Sequence, residues 1–196
     1  MEKLTSKNTA FLLIDHQVGT MGWVRSDDLE RIKLHTTVLA KAAKALDIPL
    51  VLTSSMEDAP QGPLYEELQN VAPEAYNKRI LRGGIVNCWE DPAFAQAARD
   101  IGRKNLVMAG ITTDVCLVHP AISALKEGFN VIAIPDASGS PTKVSDDLAL
   151  RRMENEGVVL TSTLTLLSEL ASDWASEEGG KLIGLITQEY LPQILS

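Results

Sequence analysis

Cys116 stands in the stretch Asn105-Leu-Val-Met-Ala-Gly110-Ile-Thr-Thr-Asp-Val-Cys116. A short apolar run ends in Gly110, a small polar turn follows, and the thiol falls at the start of an expected helix. The free N–H groups and dipole of a helix N-terminus favour thiolate over thiol and can hold a developing oxyanion. Cys116 is therefore a candidate nucleophile. Asp15 closes the apolar run Thr9-Ala-Phe-Leu-Leu-Ile14. Burial there would raise its pKa and suit it to take a thiol proton. Arg82 precedes Gly83-Gly84, where the backbone lets a ligand approach closely. Each residue also has a plain reading: a buried small hydrophobe, a turn cap and a surface arginine. Pro120 bears on the choice. Either it removes the N–H that would bond the Cys116 carbonyl, or it is simply the first residue of the helix proper.

Other reactive side chains carry less. His16 and His119 read as packing or supporting residues, and no spacing resembles a zinc motif. Cys88, in Asn87-Cys-Trp89, reads as packing. Trp23 and Trp89 suit core, interface or pocket wall equally well. Lys78 and Arg79 compete with Arg82 for a cationic role, but they fall within an expected strand.

The elements that must position these residues alternate. Strands are expected at residues 9–14, 49–53, 77–81, 106–109, 130–134 and 158–160. Helices are expected at 29–46, from Pro92 to about Ile101, after Cys116 to about Glu127, and at 144–156, 163–171 and 181–191. Asp91-Pro92 reads as an N-cap with proline at the first helical position, and Gly157 as a C-cap. This alternation predicts an α/β domain with a mostly parallel sheet. Asp15, Arg82 and Cys116 each follow a strand, and ligands of open α/β sheets sit beyond the carboxyl ends of strands.

The chain has 196 residues and reads as one domain, 1–196, with a C-terminal helical segment at about 174–196. Its net charge is −8 and its basic residues are scattered, which argues against nucleic acid or an anionic membrane as partner. No apolar run approaches the roughly 18 residues of a membrane span. The N-terminus has no apolar signal region, and two cysteines make no disulfide framework, so a cytoplasmic location is expected. Leu182, Ile183, Leu185, Ile186, Tyr190 and Leu191 either form an interface helix or pack on their own subunit.

The motifs Leu12-Leu-Ile-Asp-His-Gln17, Gly62-Pro-Leu64, Arg82-Gly-Gly-Ile-Val-Asn-Cys-Trp89, Ala109-Gly-Ile-Thr-Thr-Asp-Val-Cys116 and Pro135-Asp-Ala-Ser-Gly139 together resemble the isochorismatase-like cysteine hydrolases. The YcaC-like branch is the nearest, over roughly residues 8–175. The resemblance implies a Rossmann-like, three-layer α/β/α fold with a six-stranded parallel sheet in the order 3-2-1-4-5-6. It implies an acid–cation–thiol triad at Asp15, Arg82 and Cys116, with arginine standing where much of the family has lysine. Arginine keeps the charge but does not readily give up a proton, so its role is electrostatic. The oxyanion hole would be the backbone N–H of Cys116 and of Thr112 or Thr113, beside a cis peptide between Ile111 and Thr112. Gln17, Trp23, Asn87 and Trp89 are candidate pocket residues.

The implied activity is hydrolysis of a small amide-like substrate, or a related C–N or ester bond, through a covalent thio intermediate. Residues 53–58 lack the histidine of the metal-binding relatives, so no metal and no cofactor are expected. Tetramers or octamers are implied. The alternative is a non-catalytic or redox-sensing binding and assembly module on the same fold.

Overall fold

Two strands with continuous apolar runs, β1 (Thr9–Ile14) and β4 (Asn105–Gly110), are buried along their whole length. Such strands need cover on both faces, which places them centrally in a parallel sheet. The computed structural model, which describes residues 2–196, shows this arrangement. β2 (Leu50–Ser55) flanks β1, and β5 (Asn130–Ala133) flanks β4. The short strands β3 (Ile80–Arg82) and β6 (Val159–Leu160) close the edges. The order is β3-β2-β1-β4-β5-β6 and every pairing is parallel. Chain direction through the sheet reverses between β1 and β4. There Ile14 lies opposite both Thr53 and Gly110.

Alternation along β1 feeds two cores. Phe11 and Leu13 pack under the helix Leu29–Ala45 and the later helices Thr163–Ala171 and Glu177–Leu185. Ala10, Leu12 and Ile14 pack with Phe94, Met108, Ala121 and Met153, under the helices Pro92–Asp100, Val118–Lys126 and Lys143–Glu156. The Asp91 carboxylate accepts from the N–H groups of Ala93 and Phe94. Gly157 ends its helix at φ 106°. Both are the caps the sequence indicates.

Two elements differ from expectation. β3 begins at Ile80 rather than residue 77, because Pro73 opens a helical turn, Pro73–Asn77. Arg79 then leaves the sheet, stacks on Tyr76 at 4.4 Å and grips Glu57 through two nitrogens at 2.8 and 2.9 Å. Arg82 thereby becomes the last residue of β3. The C-terminal apolar residues take the packing alternative: Leu182, Leu185, Ile186 and Tyr190 are buried in their own subunit's core. Among the described residues, no helix is long and apolar enough to cross a membrane.

Candidate active site

Asp15 follows the last residue of β1 and has a left-handed backbone, φ 56°. Few residues with a side chain adopt that region, aspartate among the more tolerant. Three hydrogen bonds hold it there. Its N–H donates to the Thr53 carbonyl at 3.0 Å, and its carbonyl accepts from Gln17 N–H at 2.7 Å and from the Thr20 hydroxyl at 2.9 Å. The side chain is almost fully buried and meets Arg82, whose Nη2 lies 2.5 Å from both carboxylate oxygens. Arg82 is also buried. Its Nε donates to the Thr53 hydroxyl at 2.9 Å and its Nη1 to the Ile85 carbonyl at 3.0 Å. The sequence pointed to Arg82 but not to Thr53 or Ile85, which aim it.

Cys116 lies half-buried in the turn Thr113–Leu117 that follows β4. This turn is wider than an α-helix: Cys116 N–H donates to the Thr112 carbonyl at 2.7 Å, and Leu117 N–H reaches the same oxygen at 3.2 Å. Pro120, inside the helix Val118–Lys126, has no N–H to offer the Cys116 carbonyl. The peptide between Ile111 and Thr112 is cis.

Asp15, Arg82 and Cys116 therefore converge at the switch point, near enough to shift one another's proton affinity. Burial raises the Asp15 carboxyl above the usual carboxylate range, against the pull of Arg82. Burial and then the Asp15 charge push the Cys116 thiol well up. This corrects the expectation of a thiolate stabilised by helix and arginine. In a closed site beside a carboxylate, those pulls are the smaller ones. Burial and the Asp15 carboxylate both favour the neutral thiol over the thiolate. Burial also pushes up the thiol of Cys88, which is fully buried.

The oxyanion candidates separate. Thr113 N–H is spent on the Gly139 carbonyl at 2.9 Å, and Cys116 N–H on the Thr112 carbonyl at 2.7 Å. Thr112 N–H has no partner among the described residues. The pocket candidates separate too. Gln17 is fully buried. Its amide oxygen accepts from Ser55 N–H at 2.8 Å, and its nitrogen donates to the carbonyls of Ser55 and Gly62. It therefore staples the loop after β2 instead of facing a ligand. Trp89 is buried against Phe94 and Phe129, with its indole N–H on Glu127 at 2.8 Å. Asn87 accepts from Trp89 N–H and donates to Glu90 and Ser123. Trp23 is half exposed and remains available.

A cleft of about 530 Å³ opens beside Arg82, lined by Ser54, Met56, Glu57, Asp58, Leu81 and Gly83. The polar groups after β2 are spent internally: the Ser54 hydroxyl donates to Glu57 at 2.7 Å, and Glu57 pairs with Arg79. His16 is fully buried, with Nε2 on the Ala137 carbonyl at 2.9 Å, and burial lowers it to about 4.

A doubly wound parallel sheet with a buried carboxylate, guanidinium and thiol at its switch point defines a class of α/β protein. An isochorismatase domain profile matches residues 9–164, and the chain belongs to the isochorismatase-like hydrolase family. It is 35% identical over 178 residues to the probable hydrolase YcaC of Escherichia coli, covering 91% of this chain and 85% of that protein. The structure of E. coli YcaC, described as an octameric hydrolase of unknown specificity, superposes with TM-score 0.92 at 34% identity, covering 98% of this chain and 93% of that one. YcaC from Pseudomonas aeruginosa, solved with hexane-2,5-diol and covalent acrylamide, gives TM-score 0.89 at 36% identity, covering 99% and 96%. The six-stranded order 3-2-1-4-5-6 is that of this family's fold.

Proposed function

We propose that this chain is a cysteine hydrolase that cleaves an amide-like bond, or a related C–N or ester bond, of a small molecule through a covalent intermediate on Cys116. The observation that carries this reading is the buried Asp15 carboxylate, flanked by the Arg82 guanidinium on one side and the Cys116 thiol on the other. In the first half-reaction Asp15 takes the thiol proton as sulfur bonds to the carbonyl carbon. The oxyanion forms beside the Thr112 N–H, which has no partner among the described residues. Collapse breaks the bond to the leaving group, which takes the proton from Asp15. Asp15 then deprotonates water, which attacks the thioester. The acid departs and the thiol regains its proton. Arg82 favours the ionised form of Asp15 between steps, against the effect of burial.

Trp23, half exposed, is the pocket candidate left available to a small substrate. The octamer of the E. coli relative supports a homo-oligomer here, and we place the protein in the cytoplasm.

The test is intact-mass analysis after incubation with a panel of small amides and esters. An acyl adduct on the wild type, absent from Cys116→Ala together with all turnover, is the expected result. Turnover that survives in Cys116→Ala overturns the reading.

A further inference from the structure

The loop after β5 contains Ser138-Gly139-Ser140, three residues that run beside the end of β4 and the start of the Cys116 turn and receive N–H groups from both. The Ser138 hydroxyl accepts from Gly110 N–H at 3.1 Å, the Gly139 carbonyl from Thr113 N–H at 2.9 Å, and the Ser140 hydroxyl from Asp114 N–H at 3.3 Å. Gly139 also pairs in parallel with Ile111, the residue before Thr112. A larger residue there would force neighbouring side chains to shift. A Cβ on Gly139 would stand 2.7 Å from Val24 Cγ1 and 2.8 Å from Ile32 Cδ1.

Ser140 is fully buried and does more than hold the turn. Its carbonyl accepts from the N–H groups of Arg25 and Ser26 at 2.9 and 3.0 Å, and its N–H donates to the Ser26 hydroxyl at 2.9 Å. Those residues end the loop that displays Trp23. The Ser140 hydroxyl proton goes to Asp146 Oδ1 at 2.8 Å, on the first turn of the helix Lys143–Glu156. That bond aims the oxygen lone pairs at Asp114 N–H, which would otherwise be one of the unpartnered donors of a helix start.

We infer that Ser140, oriented by Asp146, is a positioning residue that fixes the Cys116 turn, and with it the Thr112 N–H, against the Trp23 loop. This inference rests on the hydrolase reading, because it gives the turn an acyl-transfer geometry to maintain. Removing the hydroxyl frees Asp114 N–H and lets the turn drift relative to its oxyanion donor. Acyl transfer to Cys116 then suffers, whereas simple alkylation of sulfur, which develops no oxyanion, does not suffer equally.

The experiment compares two reagents at Cys116, each followed by peptide mass spectrometry. With p-nitrophenyl acetate, sulfur bonds to the acetyl carbon, p-nitrophenolate leaves and Asp15 receives the thiol proton. With iodoacetamide, sulfur displaces iodide. The ratio of the two rates cancels changes in thiol exposure and ionisation. Ser140→Ala is expected to lower the ratio about tenfold, a part of what loss of a whole oxyanion donor costs. Ser140→Thr, which keeps the hydroxyl, is expected to restore it, and Asp146→Ala to fall between. Thr142→Ala removes the N-cap of the same helix, where the Thr142 hydroxyl accepts from Ser145 N–H at 3.1 Å. It is expected to lower the melting temperature and leave the ratio alone.

A Ser140→Ala ratio equal to that of the wild type overturns the positioning role. So does an equal fall in Thr142→Ala, which would mark a general loosening. A wild-type ratio no higher than that of the urea-unfolded chain overturns the hydrolase reading, and this inference with it.

Discussion

Asp15→Asn is expected to move thiol reactivity and turnover in opposite directions. The substitution leaves the burial of Cys116 unchanged but removes the Asp15 charge that helps hold its thiol up. It also leaves Arg82, which pulls the thiol down, without its carboxylate. A neighbouring charge is worth about 1–3 pKa units. Each unit of fall gives about tenfold more thiolate at a fixed near-neutral pH. Each unit also weakens the nucleophile, with a Brønsted coefficient of about 0.4–0.5. The net gain is about three- to fourfold per unit, so iodoacetamide should label Cys116 roughly 3- to 60-fold faster. Hydrolysis should fall about 10²–10⁴-fold with the loss of its base.

The assay is the labelling rate at Cys116 between about pH 6 and pH 10, with near-ultraviolet circular dichroism to verify folding. One lone charge in a buried pair costs about 3–5 kcal/mol, so the double variant Asp15→Asn/Arg82→Gln belongs in the series. It carries no unpaired charge and should show a smaller downward shift, since both influences are gone. Labelling that slows in Asp15→Asn, or a profile that does not move, refutes the assignment of Asp15 as the group that holds the thiol proton.

Three further outcomes follow from other contacts. Arg82→Lys keeps the charge but cannot reproduce the bonds to Thr53, Ile85 and both Asp15 oxygens; a stability loss of about 1–3 kcal/mol should appear in chemical denaturation. Neutral His16 contributes stability in full above its unfolded pKa of about 6.5. That contribution is lost as pH falls through its folded value of about 4. It is worth about 3 kcal/mol, and the slope of stability against pH in this window should flatten in His16→Asn. In Gly19→Ala the new Cβ would stand 1.9 Å from the Pro60 carbonyl oxygen. A cost of about 3 kcal/mol is expected, with faster proteolysis of the 54–63 loop as the readout.

Much of this was legible in the chain because it depends on local pattern. Continuous apolar runs marked strands of a parallel sheet, the family resemblance implied their order, and polar residues placed just after strands pointed to its switch point. Asp91-Pro92 and Gly157 announced helix ends through their own chemistry. What sequence could not supply depends on distant partners. Gln17 looked available to a ligand, yet its amide is taken by backbone 38 and 45 residues away. Trp89 is covered by Phe94 and Phe129. Helix N-terminus and arginine argued for a thiolate, but the same convergence that built the site also buried the sulfur beside a carboxylate. Ser138 and Gly139 served only as part of a family motif, and Ser140 was not singled out at all, until their partners came into view.

The reactive groups on β1 and β4 share a consequence of their address. Both strands are enclosed on each face and hydrogen-bonded on each side. Amides in such positions exchange with solvent only when the whole fold opens, whereas surface loops open far more readily. Asp15 therefore hangs from strands expected to exchange slowly, and Trp23 and residues 56–63 lie on loops expected to exchange faster. Asp15 is held on its strand side by the Thr53 carbonyl and on its loop side by Gln17 N–H and the Thr20 hydroxyl. A change in the loop can therefore unseat it while the two middle strands stay paired.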